Sequence, residues 1–122
     1  MTKTILAVDD SPSVRQMVRL TLTGAGYSVV EAVDGQDALE KASAQKFDAI
    51  LTDQNMPRLD GISFIRKFRD TASAVGVPIV FLSTESHEGL KQQAREAGAI
   101  GWMMKPFDQA QLLAVVKKVA GA

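Results

Sequence analysis

The chain has no cysteine. That excludes disulfides, thiolate metal sites and cysteine nucleophiles, and it accords with a reducing cytosol. It has no excess of either charge, since 14 Lys and Arg balance 14 Asp and Glu. A domain of zero net charge lacks the basic footprint of a nucleic-acid binder. It has no long apolar run either. The N-terminal stretch Thr4-Ile5-Leu6-Ala7-Val8 is too short for a signal-peptide core, and nothing approaches the ~18 residues of a membrane span. His87 is the single histidine and stands at a helix start, where it reads as an exposed cap. What is present is a 46% apolar composition over 122 residues. That suits one domain with a buried core and argues against disorder.

Apolar runs alternate with helical patterns five times. The strand candidates are Thr4 to Val8, Ser28 to Ala32, Asp48 to Thr52, Val77 to Leu82 and Ala99 to Met104. The first, third and fourth are nearly all apolar, as strands covered on both faces are. The second carries Glu31 and the fifth contains Gly101, so both suit sheet edges. Between them, Ser11-Pro12, Asp34, Asp60-Gly61 and Asp108 read as helix starts. Glu88 to Ala97 offers only Leu90 and alanines to a core, and is expected to be the least firmly held helix. Strand–helix alternation with short connections implies right-handed crossovers and a parallel sheet. The expected fold is a doubly wound, flavodoxin-like (βα)5 domain with strand order 2-1-3-4-5.

In such a sheet the carboxyl ends of the strands share one edge, where ligands bind. Asp9 and Asp10 follow the first strand, Asp53 follows the third, and Lys105, before Pro106, follows the fifth. These groups are therefore expected to converge. Three clustered carboxylates repel one another and titrate upward unless a cation joins them. A hard divalent ion with oxygen ligands answers that need, with Lys105 as a fixed positive neighbour. A carboxylate can also attack a phosphoryl group, a transfer that needs positioning and charge neutralisation above all. A divalent ion between Asp10 and Asp53 would neutralise both the nucleophile and the incoming phosphate, Lys105 would pair with one phosphoryl oxygen, and Ser83 could donate to another.

Asp9-Asp10, Asp53-Gln54-Asn55-Met56-Pro57, Asp60-Gly61, Ser83-Thr84-Glu85 and Lys105-Pro106-Phe107 resemble the receiver domain of two-component response regulators. The resemblance covers the whole chain and is greatest to single-domain chemotaxis regulators (CheY-type). It implies one receiver domain over 1–122 with no output domain. It implies phosphorylation of Asp53 by a histidine kinase, with Mg²⁺ held by Asp10, Asp53 and the Asn55 carbonyl and by Asp9 through a water. Ser83 and Trp102 would be the switch pair, Lys105 would contact the phosphoryl group, and the Lys105–Pro106 bond would be cis. The chain would be a cytoplasmic, monomeric signalling switch rather than an enzyme, catalysing only its own phosphorylation and dephosphorylation. Its partners would be the kinase, a flagellar motor switch protein or another output protein, and a phosphatase; a role as a phosphate sink is the variant reading. Trp102 and Thr84 depart from the family pattern, which more often has Tyr or Phe and Ala or Gly there.

Other readings are weaker. Phosphatases of the haloacid-dehalogenase type want two aspartates separated by one residue after the first strand, whereas Asp9 and Asp10 are adjacent. A flavin or nucleotide module wants glycines in the first loop, which here is acidic. A phosphorelay intermediate, or a constitutive binding module on the same fold, remains as the alternative; the latter would not need the acid set and Lys105.

Overall fold

The computed structural model describes residues 2–85 and 87–121. In chain order it contains β1 (Thr4–Val8), α1 (Pro12–Gly24), β2 (Ser28–Ala32), α2 (Gly35–Ala44), β3 (Ala49–Asp53), α3 (Gly61–Arg69), a 3-10 turn (Ala72–Ala74), β4 (Ile79–Ser83), α4 (Glu88–Ala97), β5 (Gly101–Met104) and α5 (Gln109–Ala120). All strand pairs are parallel, in the order β2-β1-β3-β4-β5. The two strands expected at the edges are the edges. Every residue of β3 and β4 is buried, whereas β2 and β5 are half-exposed.

Alternation along each strand divides the core into two layers. Leu6, Val8, Ile50, Ile79 and Phe81 point to the side covered by α2, α3 and α4, where Ala38, Phe64, Phe68 and Leu90 meet them. Ile5, Ala7, Leu51, Val80 and Met103 point to the side covered by α1 and α5, against Val18, Leu22, Leu112 and Val116. Helix α4 contributes only Leu90, Ala94 and Ala97 as buried residues.

All five helices begin on a side-chain cap at the carboxyl edge of the sheet. Ser11, Asp34, Asp60, His87 and Asp108 each accept a backbone N–H three residues on, at 2.8–3.4 Å. A Ser or Asp cap contributes about 1 kcal/mol. Together the caps hold the loops between strand ends and helix starts.

Three strands differ from expectation in their bounds, β3 and β4 at both ends and β5 at its start. β3 begins at Ala49 because Asp48 turns its carboxylate back to the Thr4 N–H, at 2.7 Å. β4 begins after Pro78, which has no N–H to pair, and β5 after the cap of α4, where the Ala99 N–H bonds the Ala94 carbonyl. At the other end pairing continues to Asp53 opposite Leu82 and Ser83 opposite Met104, so Asp53 and Ser83 are the last residues of their strands. Among the described residues, no helix is long and apolar enough to cross a membrane.

Candidate functional site

Strand register brings the distant acids level. Val8 stands opposite Thr52, so Asp9, the next residue, comes level with Asp53. Asp9, Asp53 and Lys105 continue the alternation of Ala7, Leu51 and Met103, so all three leave the sheet towards α1 and α5. Carboxylate oxygens of Asp9, Asp10 and Asp53 lie within 4.8 Å of one another. Asp9 and Asp53 are buried, and Asp10 is exposed at the turn.

The lysine divides its attention unequally. Lys105 Nζ is 2.6 Å from Asp9 Oδ2 and 3.3 Å from Asp53 Oδ1. Asp9 Oδ1 accepts the Ser11 N–H at 2.9 Å, so both Asp9 oxygens are engaged. Asp53 Oδ1 accepts the Gln54 N–H at 2.9 Å. Among the described residues nothing bonds Asp53 Oδ2. Lys105 thus gives Asp9 the closer counter-charge and leaves Asp53 the more weakly paired of the two buried acids. Burial, and then the charge of Asp9, push the Asp53 carboxyl above its ordinary value against the pull of Lys105 and the Gln54 N–H. Burial would lower the Lys105 ammonium, but hydrogen bonding to Asp9 and the charges of Asp9 and Asp53 outweigh it and hold it above the ordinary lysine value.

A stability prediction follows from that sign. A carboxyl raised in the fold binds its proton more tightly there than in the unfolded chain. Its favourable contribution is full below the unfolded value, 3.8, and is lost as pH rises through the folded value. In the absence of divalent ions, Asp53→Asn therefore raises the urea midpoint at pH 7, a gain in unfolding free energy on the order of 1 kcal/mol, and the gain vanishes at acid pH. A lower midpoint for the variant at pH 7 would show that Asp53 is comfortable in its charged form.

The donor set fits a hard divalent cation. It is all carboxylate oxygen, it converges from two strand ends, and it has more negative charge than one lysine neutralises. Asn55 lies two residues past Asp53 in the loop to α3, on the exposed side.

Ser83 and Trp102 lie on the other side of the sheet, in line with Phe81. Ser83 is 1% exposed. Its Oγ accepts the Glu85 N–H at 2.9 Å, which leaves the hydroxyl proton free to be donated. The Trp102 ring packs on Phe81 with centroids 5.1 Å apart, and Lys91 Nζ stands 5.6 Å above it. Trp102 Nε1 is buried without a hydrogen-bond partner among the described residues. The Lys105–Pro106 bond is cis.

Residues 5–117 match the family model of the response regulator receiver domain. The chain belongs to this family. A chemotaxis protein of Vibrio cholerae, CheY4, is 43% identical over 98% of this chain and 99% of its own, with a TM-score of 0.94. The receiver domain of a Pseudomonas aeruginosa sensor histidine kinase is 32% identical over the full length of both chains, with a TM-score of 0.91, and its structure holds a magnesium ion coordinated in the active-site cleft. The transcriptional regulatory protein PhoP of Bacillus subtilis, which governs alkaline phosphatase synthesis, is 37% identical over 98% of this chain and 49% of its own length. The chain thus spans about half the length of the curated relatives that carry it as one part. Receiver domains are phospho-accepting signalling switches that work with histidine kinases and output partners.

Several residues that shape this receiver's site escape a reading of the sequence. Gln54 Oε1 accepts the Ile62 N–H at 2.9 Å, and its carbonyl accepts the Gly61 N–H at 3.0 Å. Gly61, legible only as a helix start, is needed because a Cβ there would stand 2.2 Å from the Asp53 carbonyl oxygen. Arg15 donates to the Asp9 carbonyl at 2.7 Å while Glu31 holds its Nε at 3.2 Å. The one available signal was the spacing of Arg15 and Arg19 on the helix face above Glu31.

Proposed function

We propose that this receiver, a cytoplasmic protein, takes a phosphoryl group onto Asp53 from the phosphohistidine of a histidine kinase and thereby switches a protein-binding surface. The observation that carries the reading is the state of Asp53. It is a 7% exposed carboxylate with one oxygen free, beside a lysine and two further acids. Oδ2 attacks phosphorus, an O–P bond forms, the P–N bond breaks, and the imidazole nitrogen leaves with the bonding electrons. Lys105 then exchanges an aspartate contact for a phosphoryl oxygen, and the Ser83 hydroxyl, whose proton is free, turns to donate to another. Asp10, Asp53 and the Asn55 carbonyl, with Asp9 through a water, would hold Mg²⁺, which when bound neutralises charge on the acid cluster and the incoming phosphate.

The modification adds about −1.5 to −2 charge. As Ser83 turns, it leaves room towards which the Trp102 ring can move. The face of α4, β5 and α5 would carry the signal to a partner, at a coupling of about 1–3 kcal/mol. Similarity to the Vibrio cholerae chemotaxis protein along nearly the whole of both chains favours chemotaxis signalling, with a flagellar motor switch protein or a phosphate-sink role as the output. Incubation with candidate kinases, borohydride reduction and mass spectrometry test the acceptor: homoserine at position 53 is the expected product. Pull-down with the phosphorylated chain then tests the output, and a motor switch protein left unbound would remove that assignment.

Thr84 governs the rate in this scheme. It is exposed and shares a groove of about 290 Å³ with Val14, Met17, Lys105, Pro106 and Phe107. A branched side chain held in few rotamers at that mouth narrows the line of attack for water and donors alike. Thr84→Ala should speed both self-dephosphorylation and phosphorylation by small donors by about tenfold or less, roughly 1.4 kcal/mol of barrier. Equal or slower phosphate release from the variant would show that Thr84 is no gate.

A further inference from the structure

Arg58 takes no part in the chemistry above, yet it combines two features unusual for a loop residue. Its φ is 67°, in the left-handed region that side chains disfavour. Its guanidinium also grips Asp34 with two arms, Nε to Oδ2 at 2.7 Å and Nη2 to Oδ1 at 3.0 Å. Asp34 is only 5% exposed, and the same Oδ1 caps α2 through the Asp37 N–H. Beside this pair the Gly35 N–H donates to the Leu59 carbonyl at 3.1 Å, and a Cβ on Gly35 would stand 2.1 Å from that oxygen. The loop after β3 is therefore pressed onto the head of α2, backbone against backbone. At its near end the same loop is tied by Gln54 to Gly61 and Ile62. Between the two ties, Asn55, Met56 and Pro57 make no side-chain hydrogen bond among the described residues. Met56 packs against the core and the Pro57 carbonyl accepts the Leu59 N–H at 2.7 Å, which leaves the Asn55 main chain placed by these contacts and by the ties at the two ends of the loop.

We propose that the Arg58–Asp34 pair is a positioning latch that sets where the Asn55 main chain stands against Asp53, and so how tightly the acid site holds a divalent cation. The inference rests on the metal reading given above. Groups that orient a metal ligand from behind typically change affinity by about 10–100-fold. A latch acting on one carbonyl through three residues of loop should act at the lower end of that range or below it.

Charge alone works in the opposite direction. Removing a guanidinium makes the neighbourhood more negative and should tighten a cation, whereas loss of the latch should loosen it. The sign of the effect separates the two. Isothermal calorimetry of the unphosphorylated chain with MgCl₂, at pH 7 and fixed ionic strength, reads it directly. Arg58→Ala should weaken Mg²⁺ binding about three- to tenfold. Arg58→Gly should weaken it as much, although it relieves the left-handed backbone, because the two-armed contact is lost either way. Arg58→Lys, which keeps the charge, should restore part of the affinity. Asp34→Asn keeps an oxygen for the helix cap, and combined with Arg58→Ala it should weaken binding no further than either change alone.

Unchanged or tighter Mg²⁺ binding by Arg58→Ala and Arg58→Gly overturns the latch, as does simple additivity in the double variant. Asp10→Ala is the control that keeps two failures apart. If the wild type binds no better than Asp10→Ala, the metal reading fails and the latch with it. If Asp10→Ala loses the ion while Arg58→Ala holds it like wild type, only the latch fails.

Discussion

Asp53→Ala should lose all acid-stable, hydroxylamine-labile labelling by a small phosphodonor or a kinase, down to background. The geometry offers no substitute nucleophile. Asp9 has one oxygen on Lys105 at 2.6 Å and the other on the Ser11 N–H at 2.9 Å, so neither is free to attack. Asp10 is exposed and makes no contact with Lys105. Of these three acids only Asp53 combines burial, an oxygen free among the described residues and a cation alongside. In-line transfer tolerates little misplacement of the attacking atom, so a carboxylate a few ångströms away should not take over. Labelling of the variant at more than a tenth of the wild-type level, followed to another aspartate by mass spectrometry, would move the acceptor elsewhere.

Asp10→Ala should retain the nucleophile yet lose both the Mg²⁺ dependence of transfer and most of its rate. Outer partners of metal ligands carry about 10–100-fold in affinity or activity, so deleting a ligand should cost at least about a hundredfold. The exposure of Asp10 makes it a clean test. It makes no hydrogen bond among the described residues and packs against no core cluster, so its loss should leave the fold unchanged. The comparison is the transfer rate of both proteins with excess Mg²⁺ and with EDTA. Wild-type rates from the variant, or a variant still stimulated by Mg²⁺ as strongly as wild type, would take Asp10 out of the metal site.

The convergence of Asp9, Asp10, Asp53 and Lys105 was legible before any coordinates, because it depends only on topology. Parallel strands joined by helices put their carboxyl ends on one edge, and each of these residues ends or follows an apolar run. Ser11, Asp34, Asp60, His87 and Asp108 were legible as caps for a similarly local reason: a cap bonds an N–H three residues away. The Asp34–Arg58 pair was not legible. It joins residues 24 apart, and nothing in the sequence says which of several exposed arginines meets which acid. Arg69 is a second such case. Its guanidinium reaches the carbonyls of Ala74 and Gly98, from two separate turns, and backbone acceptors leave no mark on a sequence.

The sequence by itself determined the strand order, the edge on which the acids gather and the identity of the residues that gather there. Those follow from the period of apolar residues, from the polarity of the edge strands and from the direction in which each strand runs. Only the tertiary structure decided how the charge is shared. Lys105 sits closer to Asp9 than to Asp53 by 0.7 Å, the difference between 3.3 and 2.6 Å. Such distances are set by side-chain packing and by the local turn of the backbone, and Coulomb energy in a buried site changes steeply over them. That inequality gives Asp9 the closer counter-charge, while burial and the charge of Asp9 raise the Asp53 carboxyl and one of its oxygens stays unbonded among the described residues.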